Sequence, residues 1–380
     1  MPRILYLRSN AQSTFAAFIA SGLEYSVNIQ FEQFPEIPDN EWKGIEKVYN
    51  PEEVLSHLKL HLVSSRTELY EKIESSYYDL VLLLDYDGRL FSYQEMTLIK
   101  KWRNILGHFK KIFQLTPKNI LKNVRLMQGV PLALQEINSI VPVAVVDMDD
   151  WLSLPLTGQR FLKYCSYYFK RELPFNRYFL YYQQRPAPWK IKRKELSFFV
   201  AKTHNLSLGI EDQKYYHLKN KRVPHQDIDI LFCCDATSTL RLKAKNYLEK
   251  MAIDSSWKIV LANSLPFDDY CEIMARSRIT VSISGGGWDC FRHYEAIALG
   301  SIPFMDHPTV DTPWCHQVKN DIFFSNTFID FQLRLDKLLS DEALCRECFI
   351  FLEKMIEKKM LHSKIVEGVV NTSLKNGNKL

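Results

Sequence analysis

The sequence lacks the features of membrane-spanning, secreted and disulfide-framework proteins. No apolar run approaches the roughly 20 residues that a transmembrane helix needs. The chain does not open with the basic region and apolar core of a secretory signal, and its eight cysteines show no repeated spacing. We therefore expect a cytoplasmic protein with reduced thiols, whose contact with a membrane is at most peripheral.

The usual signals for a metal centre and for nucleic-acid binding are also weak. Cys345 and Cys348 form a single C-x-x-C, without the second pair of ligands that zinc requires. The net charge of +5 is small for 380 residues, and a basic cluster lies at residues 190–194. We expect no metal, no other cofactor and no nucleic-acid partner. A nucleic-acid-modifying transferase is the alternative that the basic cluster would favour.

What the sequence does contain is enough apolar material for two cores. Hydrophobic residues make up 46% and charged residues 24% of the chain, as in an ordinary globular protein. A length of 380 residues exceeds what one core usually organises. Short apolar runs alternate with amphipathic stretches in both halves, which is typical of parallel strands joined by helices. We predict two doubly wound α/β domains, residues 1–188 and 189–380, with a polar linker at residues 183–194.

The pattern of apolar residues places the individual elements. The predicted strands are residues 3–8, 27–34, 79–84, 112–115, 141–146 and 167–170 in the first half, and 228–233, 258–261, 279–283 and 302–305 in the second. The predicted helices are residues 11–23, 52–76, 93–106, one from 117, 238–251, 267–275, 291–299 and a long C-terminal helix at 341–360. Residues 371–380 are expected to be frayed.

A run of three glycines follows the predicted strand that ends at residue 283 and leads into a helix. The glycines at 285–287 allow the backbone to approach a bulky ligand, and the start of the helix offers N–H groups and a partial positive charge that suit a diphosphate. Arg292 can fork onto phosphate oxygens, and Glu295 lies on the same helix face, where it can accept hydrogen bonds from a ribose. The alternative is a flexible turn followed by an ion pair on a helix surface.

These residues carry a resemblance to a known family. The run FRHYEA at 291–296 with LGSIP at 299–303 is similar to the nucleotide-sugar-binding motif of exostosin-like GT-B glycosyltransferases, and YFKRE at 168–172 resembles a stretch of their bacterial relatives. The likeness covers most of residues 165–310, whereas the first 140 residues match only as a generic α/β domain. It implies a GT-B fold, in which two Rossmann-like domains face a cleft, and a metal-independent transferase.

The resemblance also implies roles for residues of this sequence. Arg292 is implied to meet the diphosphate of a nucleotide-sugar donor, Glu295 its ribose, and the loop at 284–287 the sugar or its phosphates. The sequence departs from the Glu-x7-Glu pattern of many retaining GT-B enzymes, because the first glutamate falls at Gly287. The stereochemical outcome therefore stays open. The full set of donor-side candidates is Arg241, Ser284, Gly285, Gly286, Gly287, Asp289, Arg292, His293 and Glu295.

Candidates for catalysis follow the strands of the first half. Asp147 and Asp149, with their neighbour Asp150, follow a predicted strand and could supply the base for an acceptor hydroxyl. Asp85 and Asp87 are placed in the same way, and capping or turn formation is the alternative for each of these aspartates.

Lys170 and Arg171 could neutralise charge on a departing diphosphate. A salt-bridged strand end is the alternative. The sequence predicts transfer of a sugar from a nucleotide-diphosphate sugar to a hydroxyl of an unknown glycan, lipid-linked or protein acceptor, in glycan or surface polysaccharide synthesis. A non-catalytic nucleotide-sugar-binding protein of the same fold is the alternative that the missing first glutamate favours.

Overall fold

A computed structural model describes most of the second half of the chain and several separate stretches of the first. The described residues are 1–8, 14–34, 61–84, 134–148, 150, 152, 154, 161–162, 164–177, 180, 200–235, 237–317 and 320–377. Several predictions lie outside them: the helix at 93–106, the strand at 112–115, the helix from 117, the linker at 183–194, and the three aspartates Asp85, Asp87 and Asp149.

Six parallel strands form the first sheet, in the order β2-β1-β3-β4-β5-β6. The strands are β1 (Arg3–Arg8), β2 (Gln30–Phe34), β3 (Leu80–Leu84), β4 (Val143–Asp147), β5 (Tyr167–Lys170) and β6 (Thr203–Asn205). Helices α1 (Thr14–Glu24), α2 (Arg66–Glu74) and α3 (Leu134–Ile140) lie between strands of this sheet in the chain. Strand β6 lies beyond residue 188 in the chain, and the domain boundary at that residue stays a prediction.

Both faces of the first sheet are covered. In β1, Ile4 and Tyr6 belong to one buried apolar cluster, and Leu5 and Leu7 belong to another. Because successive residues of a strand point to opposite faces, two clusters mean that each face packs against its own layer. The run of five buried leucine and valine residues in β3 has the same cause, since a strand covered on both sides is apolar along its whole length.

Five parallel strands form the second sheet, in the order β11-β10-β9-β7-β8. The strands are β7 (Ile228–Cys233), β8 (Ile259–Ala262), β9 (Ser277–Ser282), β10 (Ile302–Asp306) and β11 (Phe323–Phe324). The helices of this half, up to β11, are α4 (Asp212–Lys219), α5 (Thr239–Asp254), α6 (Phe267–Ala275), α7 (Phe291–Ala298) and α8 (Pro313–Gln317), with a 3-10 turn at Asn320–Ile322.

Three helices close the chain and return to the first half. They are α9 (Phe331–Ser340), α10 (Glu342–Met355) and α11 (His362–Gly377), with a π-helical turn at Ile356–Met360. Helix α11 packs on α1 so closely that a side chain on Gly22 would lie 2.6 Å from the His362 carbonyl oxygen. The expected fraying from residue 371 is wrong up to Gly377, where the helix ends. Among the described helices, none has both the length and the apolar character to cross a membrane.

The strand orders locate the crevices where ligands bind in such sheets. From β7 the chain moves outward to β8, and it then returns to the other side of β7 to form β9. The carboxyl ends of β7 and β9 therefore flank a topological switch point, which is the usual ligand site of an open α/β sheet. Segments that follow β4 and β5 of the first sheet contact the loop that follows β9. The predicted fold class, two doubly wound α/β domains each built on a parallel sheet, is confirmed.

Candidate functional site

The carboxyl ends of the two sheets meet at the glycine loop, residues 284–289. The loop leaves β9 and enters α7, and three charged side chains lie against its three glycines. A Cβ atom built on Gly285 would lie 2.9 Å from Arg241 Nη2, and one on Gly286 would lie 2.8 Å from Asp150 Oδ2. A Cβ on Gly287 would lie 2.6 Å from the carboxyl carbon of Glu172. At the glycine triplet, charged side chains therefore lie directly against the backbone of the loop.

The glycines at 285–287 are favoured by the little space beside the loop, and not by their backbone conformation. Among the described residues, the glycines with positive φ are Gly209 and Gly300. The backbone conformation at 285–287 therefore does not require glycine, but a side chain would crowd the charged groups beside the loop, most closely the buried Glu172 at Gly287. The sequence predicted that these glycines would admit a ligand, and the structure places protein groups there as well.

Glu172 follows β5 and occupies the start of the segment that leads into α7. Its Oε2 accepts a hydrogen bond from the N–H of Trp288 at 3.1 Å, and its Oε1 accepts one from the N–H of Asp289 at 3.0 Å. The residue is 1% exposed, and burial, followed by the charge of Asp289, raises the pKa of its carboxyl group. The sequence predicted that N–H groups in this region would hold a diphosphate. Two of them hold a carboxylate of the chain itself.

Asp289 and His293 were predicted on the donor side, and both are buried and engaged with the protein. Asp289 Oδ2 accepts from the N–H of Leu208 at 2.6 Å, and its Oδ1 accepts from the hydroxyl of Tyr294 at 2.7 Å. His293 Nδ1 lies 2.8 Å from Ser282 Oγ, and its Nε2 lies 2.9 Å from the Trp288 carbonyl oxygen. The hydrogen bonds of these two side chains therefore fix the conformation of the loop from its buried side.

Arg241 and Ser284 fix the beginning of the loop. The guanidinium of Arg241, in the first turn of α5, donates to the carbonyl oxygen of Ser284 at 3.1 Å and to that of Ile283 at 3.4 Å. The N–H of Ser284 donates to Asp306 Oδ1 at 2.8 Å, and burial raises the pKa of the Asp306 carboxyl group. Arg241 thus joins the start of α5 to the end of β9 across the switch point.

Arg292 lies in the first turn of α7 with its guanidinium over the same crevice. Cys234, just after β7, and Cys290, just before α7, both experience its positive charge, which counteracts the effect of burial on their thiol pKa values. Burial disfavours the charged guanidinium, but Tyr270 and Cys290 raise the pKa of Arg292 above its usual value. Its Nε is buried and has no hydrogen-bond partner in the part of the chain that the structure describes. A cation with an unused donor is thus held at the switch point.

Glu295 is a fixed charge on the same helix. Its Oε1 accepts from Lys214 Nζ at 2.7 Å, and its Oε2 accepts from the Tyr270 hydroxyl at 2.9 Å. Burial favours the neutral acid, but the charge and hydrogen bond of Lys214 outweigh it and lower the pKa of Glu295. The ion pair with Arg292 that the sequence offered as an alternative is absent, because Lys214 of α4 is the cation paired with Glu295.

The catalytic candidates of the first sheet lie in two places. Asp147 and Lys170 pair in the interior, and Arg171 lies beside the glycine loop, where it pairs with the accessible carboxylate of Asp150. Asp147 and Lys170 are register partners in β4 and β5, and Lys170 Nζ lies 3.2 Å from Asp147 Oδ2, which also accepts from the Tyr168 hydroxyl at 2.7 Å. Asp147 is 2% exposed and Lys170 is fully buried. This arrangement matches the salt-bridged strand end that the sequence allowed as the alternative for Lys170.

Arg171 points the other way and joins the glycine loop. It forms an ion pair with Asp150, and its Nε lies 3.9 Å from Glu172 Oε1. The Asp150 side chain is 50% exposed, which makes it the accessible carboxylate beside the loop. Asp149 lies outside the described residues. Sequence reasoning gave Asp147 and Asp149 more weight than Asp150, and it did not propose a role for Glu172 at all, although both residues stood next to its candidates. Within the described ranges, no group of three or more His, Cys, Asp or Glu side chains could hold a metal ion.

Comparison with known proteins gives weak likenesses along the whole chain. No protein-family model matches the sequence, and no curated protein matches it. Among solved structures, an alpha-glucosyltransferase in complex with UDP and a 13-mer DNA is 11% identical, with a TM-score of 0.47 and coverage of 98% of this chain and 99% of that chain. A glycosyltransferase from Rickettsia africae is 8% identical, with a TM-score of 0.47 and coverage of 100% and 99%.

A third solved structure has a different activity. The UDP-GlcNAc 2-epimerase from Neisseria meningitidis, bound to UDP-GlcNAc, is 12% identical to this chain, with a TM-score of 0.38 and coverage of 99% of this chain and 100% of that chain. At 12% identity or less, none of these likenesses shows the activity of this chain.

Proposed function

We propose that this protein is a cytoplasmic, exostosin-like glycosyltransferase that moves a sugar from a nucleotide-diphosphate sugar to an acceptor hydroxyl in glycan synthesis. The observation that carries the proposal is the position of Arg292. It lies at the switch point of the second sheet with a buried Nε that no described group uses. Opposite this crevice stands Asp150, which comes from the first sheet and is half exposed.

On the donor side, the free donor of Arg292 suits the diphosphate. A guanidinium held in a desolvated crevice interacts strongly with phosphate oxygens and stabilises the charge that develops as the nucleotide leaves. Glu295 suits the ribose, because each carboxylate oxygen has a second lone pair beyond those used by Lys214 and Tyr270. Gly285 and Gly286 are exposed and lie next to this crevice, where the sugar would bind.

On the acceptor side, Asp150 replaces Asp147 as the candidate base. Asp147 is enclosed by Tyr168 and Lys170, whereas the carboxylate of Asp150 reaches the glycine loop and is oriented by Arg171. In the reaction, the acceptor oxygen bonds to the anomeric carbon as the bond from that carbon to the diphosphate breaks. Asp150 takes the proton of the acceptor hydroxyl, and Arg292 stabilises the departing diphosphate.

A mutation at Arg292 tests the proposal. Arg292→Ala should abolish binding of nucleoside diphosphates, measured by calorimetry with UDP, GDP and ADP in turn, because the main diphosphate contact is lost. Arg276→Ala is the matched control, since Arg276 precedes β9 at the opposite end of the strand and pairs with Asp227 on the surface. Unchanged affinity in Arg292→Ala for a diphosphate that the wild type binds would refute the donor site.

One observation favours a second candidate function, a nucleotide-sugar-binding protein without turnover. Two of the expected catalytic groups, Asp147 and Lys170, neutralise each other in the interior. Incubation with a panel of nucleotide sugars and candidate acceptors separates the two functions. Release of free nucleotide that depends on Asp150 supports the transferase, and tight binding without release supports the binding protein.

A further inference from the structure

The carboxylate of Glu172 connects the two sheets at the glycine loop. We propose that Glu172 is a positioning residue of the donor site: carried by the first sheet, it holds the backbone of the second-sheet loop through the N–H groups of Trp288 and Asp289. Its effect on the donor rests on the proposed function, whereas its effect on the loop does not.

The first argument is the geometry of the contact. Two successive backbone N–H groups that point at one anion form a concave anion-binding nest. Glu172 fills this nest with both oxygens, at 3.1 Å and 3.0 Å, and is 1% exposed. Such charge-assisted bonds are stronger than bonds between neutral groups. The carboxylate therefore fixes the loop at the residues that lead directly into the helix of Arg292.

The second argument is the room that the loop leaves for this carboxylate. Gly287 has an ordinary backbone conformation, yet a side chain there would collide with Glu172. A glycine at this position is needed only if Glu172 stays in place. A carboxylate thus lies beside position 287, and the segment that follows β5 of the other sheet supplies it.

The third argument is that Glu172 belongs to a continuous seam between the halves. The next residue, Leu173, accepts a hydrogen bond at its carbonyl oxygen from the N–H of Asp311 at 2.7 Å, and Arg177 pairs with the Asp311 carboxylate. Asp289 adds the bond from Leu208. Because these contacts remain when the Glu172 carboxylate is removed, a variant at Glu172 should keep the fold and lose only its hold on the loop.

Hydrogen exchange tests the contact with the loop directly. Glu172→Ala should speed exchange of the Trp288 and Asp289 amides, and Glu172→Gln, which keeps one acceptor, should give an intermediate rate. Formate added to Glu172→Ala should restore protection, because a small carboxylate can enter the vacated nest, whereas formamide should not. Unchanged protection in Glu172→Ala, or protection that formate does not restore, would overturn the proposal.

Nucleoside diphosphate binding tests the role in the donor site. The affinity of Glu172→Ala for UDP, GDP or ADP, whichever the wild type binds, should fall about tenfold, the size expected from losing hydrogen bonds to a charged group, and formate should recover it. Arg177→Ala is the control, since it breaks the seam away from the loop and should leave the affinity unchanged. Equal losses in the two variants would make Glu172 a general interface residue and refute its positioning role.

The two measurements test different claims, so one claim can fail while the other stands. If the wild type binds none of the diphosphates, the proposed function fails, while the amide exchange rates still decide whether Glu172 holds the loop. If the diphosphate binds and Glu172→Ala binds it equally well, the positioning role fails and the donor site stands.

Discussion

Two buried glutamates lie at helix α7, Glu172 against the segment before it and Glu295 within it, and they are held in opposite ways. Glu172 is 1% exposed and accepts from two backbone N–H groups, and its burial, followed by the charge of Asp289, raises its pKa. Glu295 is 8% exposed and is paired with Lys214 and Tyr270, so that its pKa is lowered. Burial alone therefore does not determine how a carboxylate behaves here. The cation of Lys214 keeps Glu295 charged, whereas at Glu172 burial and the charge of Asp289 outweigh the two N–H groups and make the carboxylate easier to protonate.

Removing Lys214, the cation that pairs with Glu295, should give the largest change in stability. Lys214→Met keeps an apolar stem but removes the ammonium, which lies over the rings of Phe267 and Phe291, and so leaves a buried carboxylate without its partner. We expect a loss of about 3 kcal/mol in the free energy of unfolding, measured by urea titration.

A partly exposed lysine provides the control for this variant. Lys245 forms an i,i+4 pair with Glu249 on α5 at 3.7 Å, and Lys245→Met should cost less than about 0.5 kcal/mol. If the two variants lost the same free energy, Glu295 would be solvated well enough to need no partner, and its difference from Glu172 would disappear.

The sequence predicted the regular parts of the fold well, because their apolar patterns are local. Helix α6 was predicted to the residue, and β3 was predicted to within one residue, since a run of leucines between polar residues has few other interpretations. Strand β6 has only the three residues Thr203, His204 and Asn205, which show no apolar alternation. It joins the sheet through pairing with β5, and only tertiary structure can show this.

The candidate site was predicted in part, for a related physical reason. Arg292 and Glu295 lie close in sequence on one helix, so their spacing indicated a shared face. The bond between Glu172 and Trp288 joins residues that are 116 positions apart, and no spacing rule connects them. The burial of Asp147 was equally hidden, because it depends on the register that brings Lys170 opposite to it. Charged residues at strand ends can be found from sequence, but their partners cannot.

Adding a side chain at Gly287, next to Glu172, should give the next largest change in stability. Gly287→Ala places a methyl group against the Glu172 carboxylate and should cost about 2 kcal/mol of folding free energy through overpacking. In a Glu172→Ala background the same substitution should cost little, because the colliding group is gone. Urea titration of the four proteins in this double-mutant cycle measures the coupling.

Gly368 in α11 is the matched glycine for this test. A side chain there meets nothing within 4 Å, so Gly368→Ala should stabilise the protein by about 0.5–1 kcal/mol through helix propensity. A cycle in which Gly287→Ala costs the same with and without Glu172 would show that the loop avoids the carboxylate, and the proposed contact would be wrong.

Acidification should give the smallest effect, but one with opposite signs for the two glutamates. The pKa of Glu295 is lowered below the ordinary value of 4.5, so its stabilising contribution is complete above 4.5 and is lost as the pH falls through the folded value. The pKa of Glu172 is raised above 4.5, so its ionised form destabilises the folded state at neutral pH, and protonation relieves this as the pH falls. The charged groups that act on the pKa of Glu172 are Asp289, which raises it, and Arg171, which lowers it.

The measurement is the free energy of unfolding of wild type, Glu295→Gln and Glu172→Gln from pH 7 to below 4.5, since glutamine does not titrate. The advantage of wild type over Glu295→Gln should shrink on acidification, because the paired carboxylate becomes protonated. The difference between wild type and Glu172→Gln should instead shift in favour of wild type, beginning above pH 4.5. Parallel curves would mean that Lys214 does not distinguish the two sites.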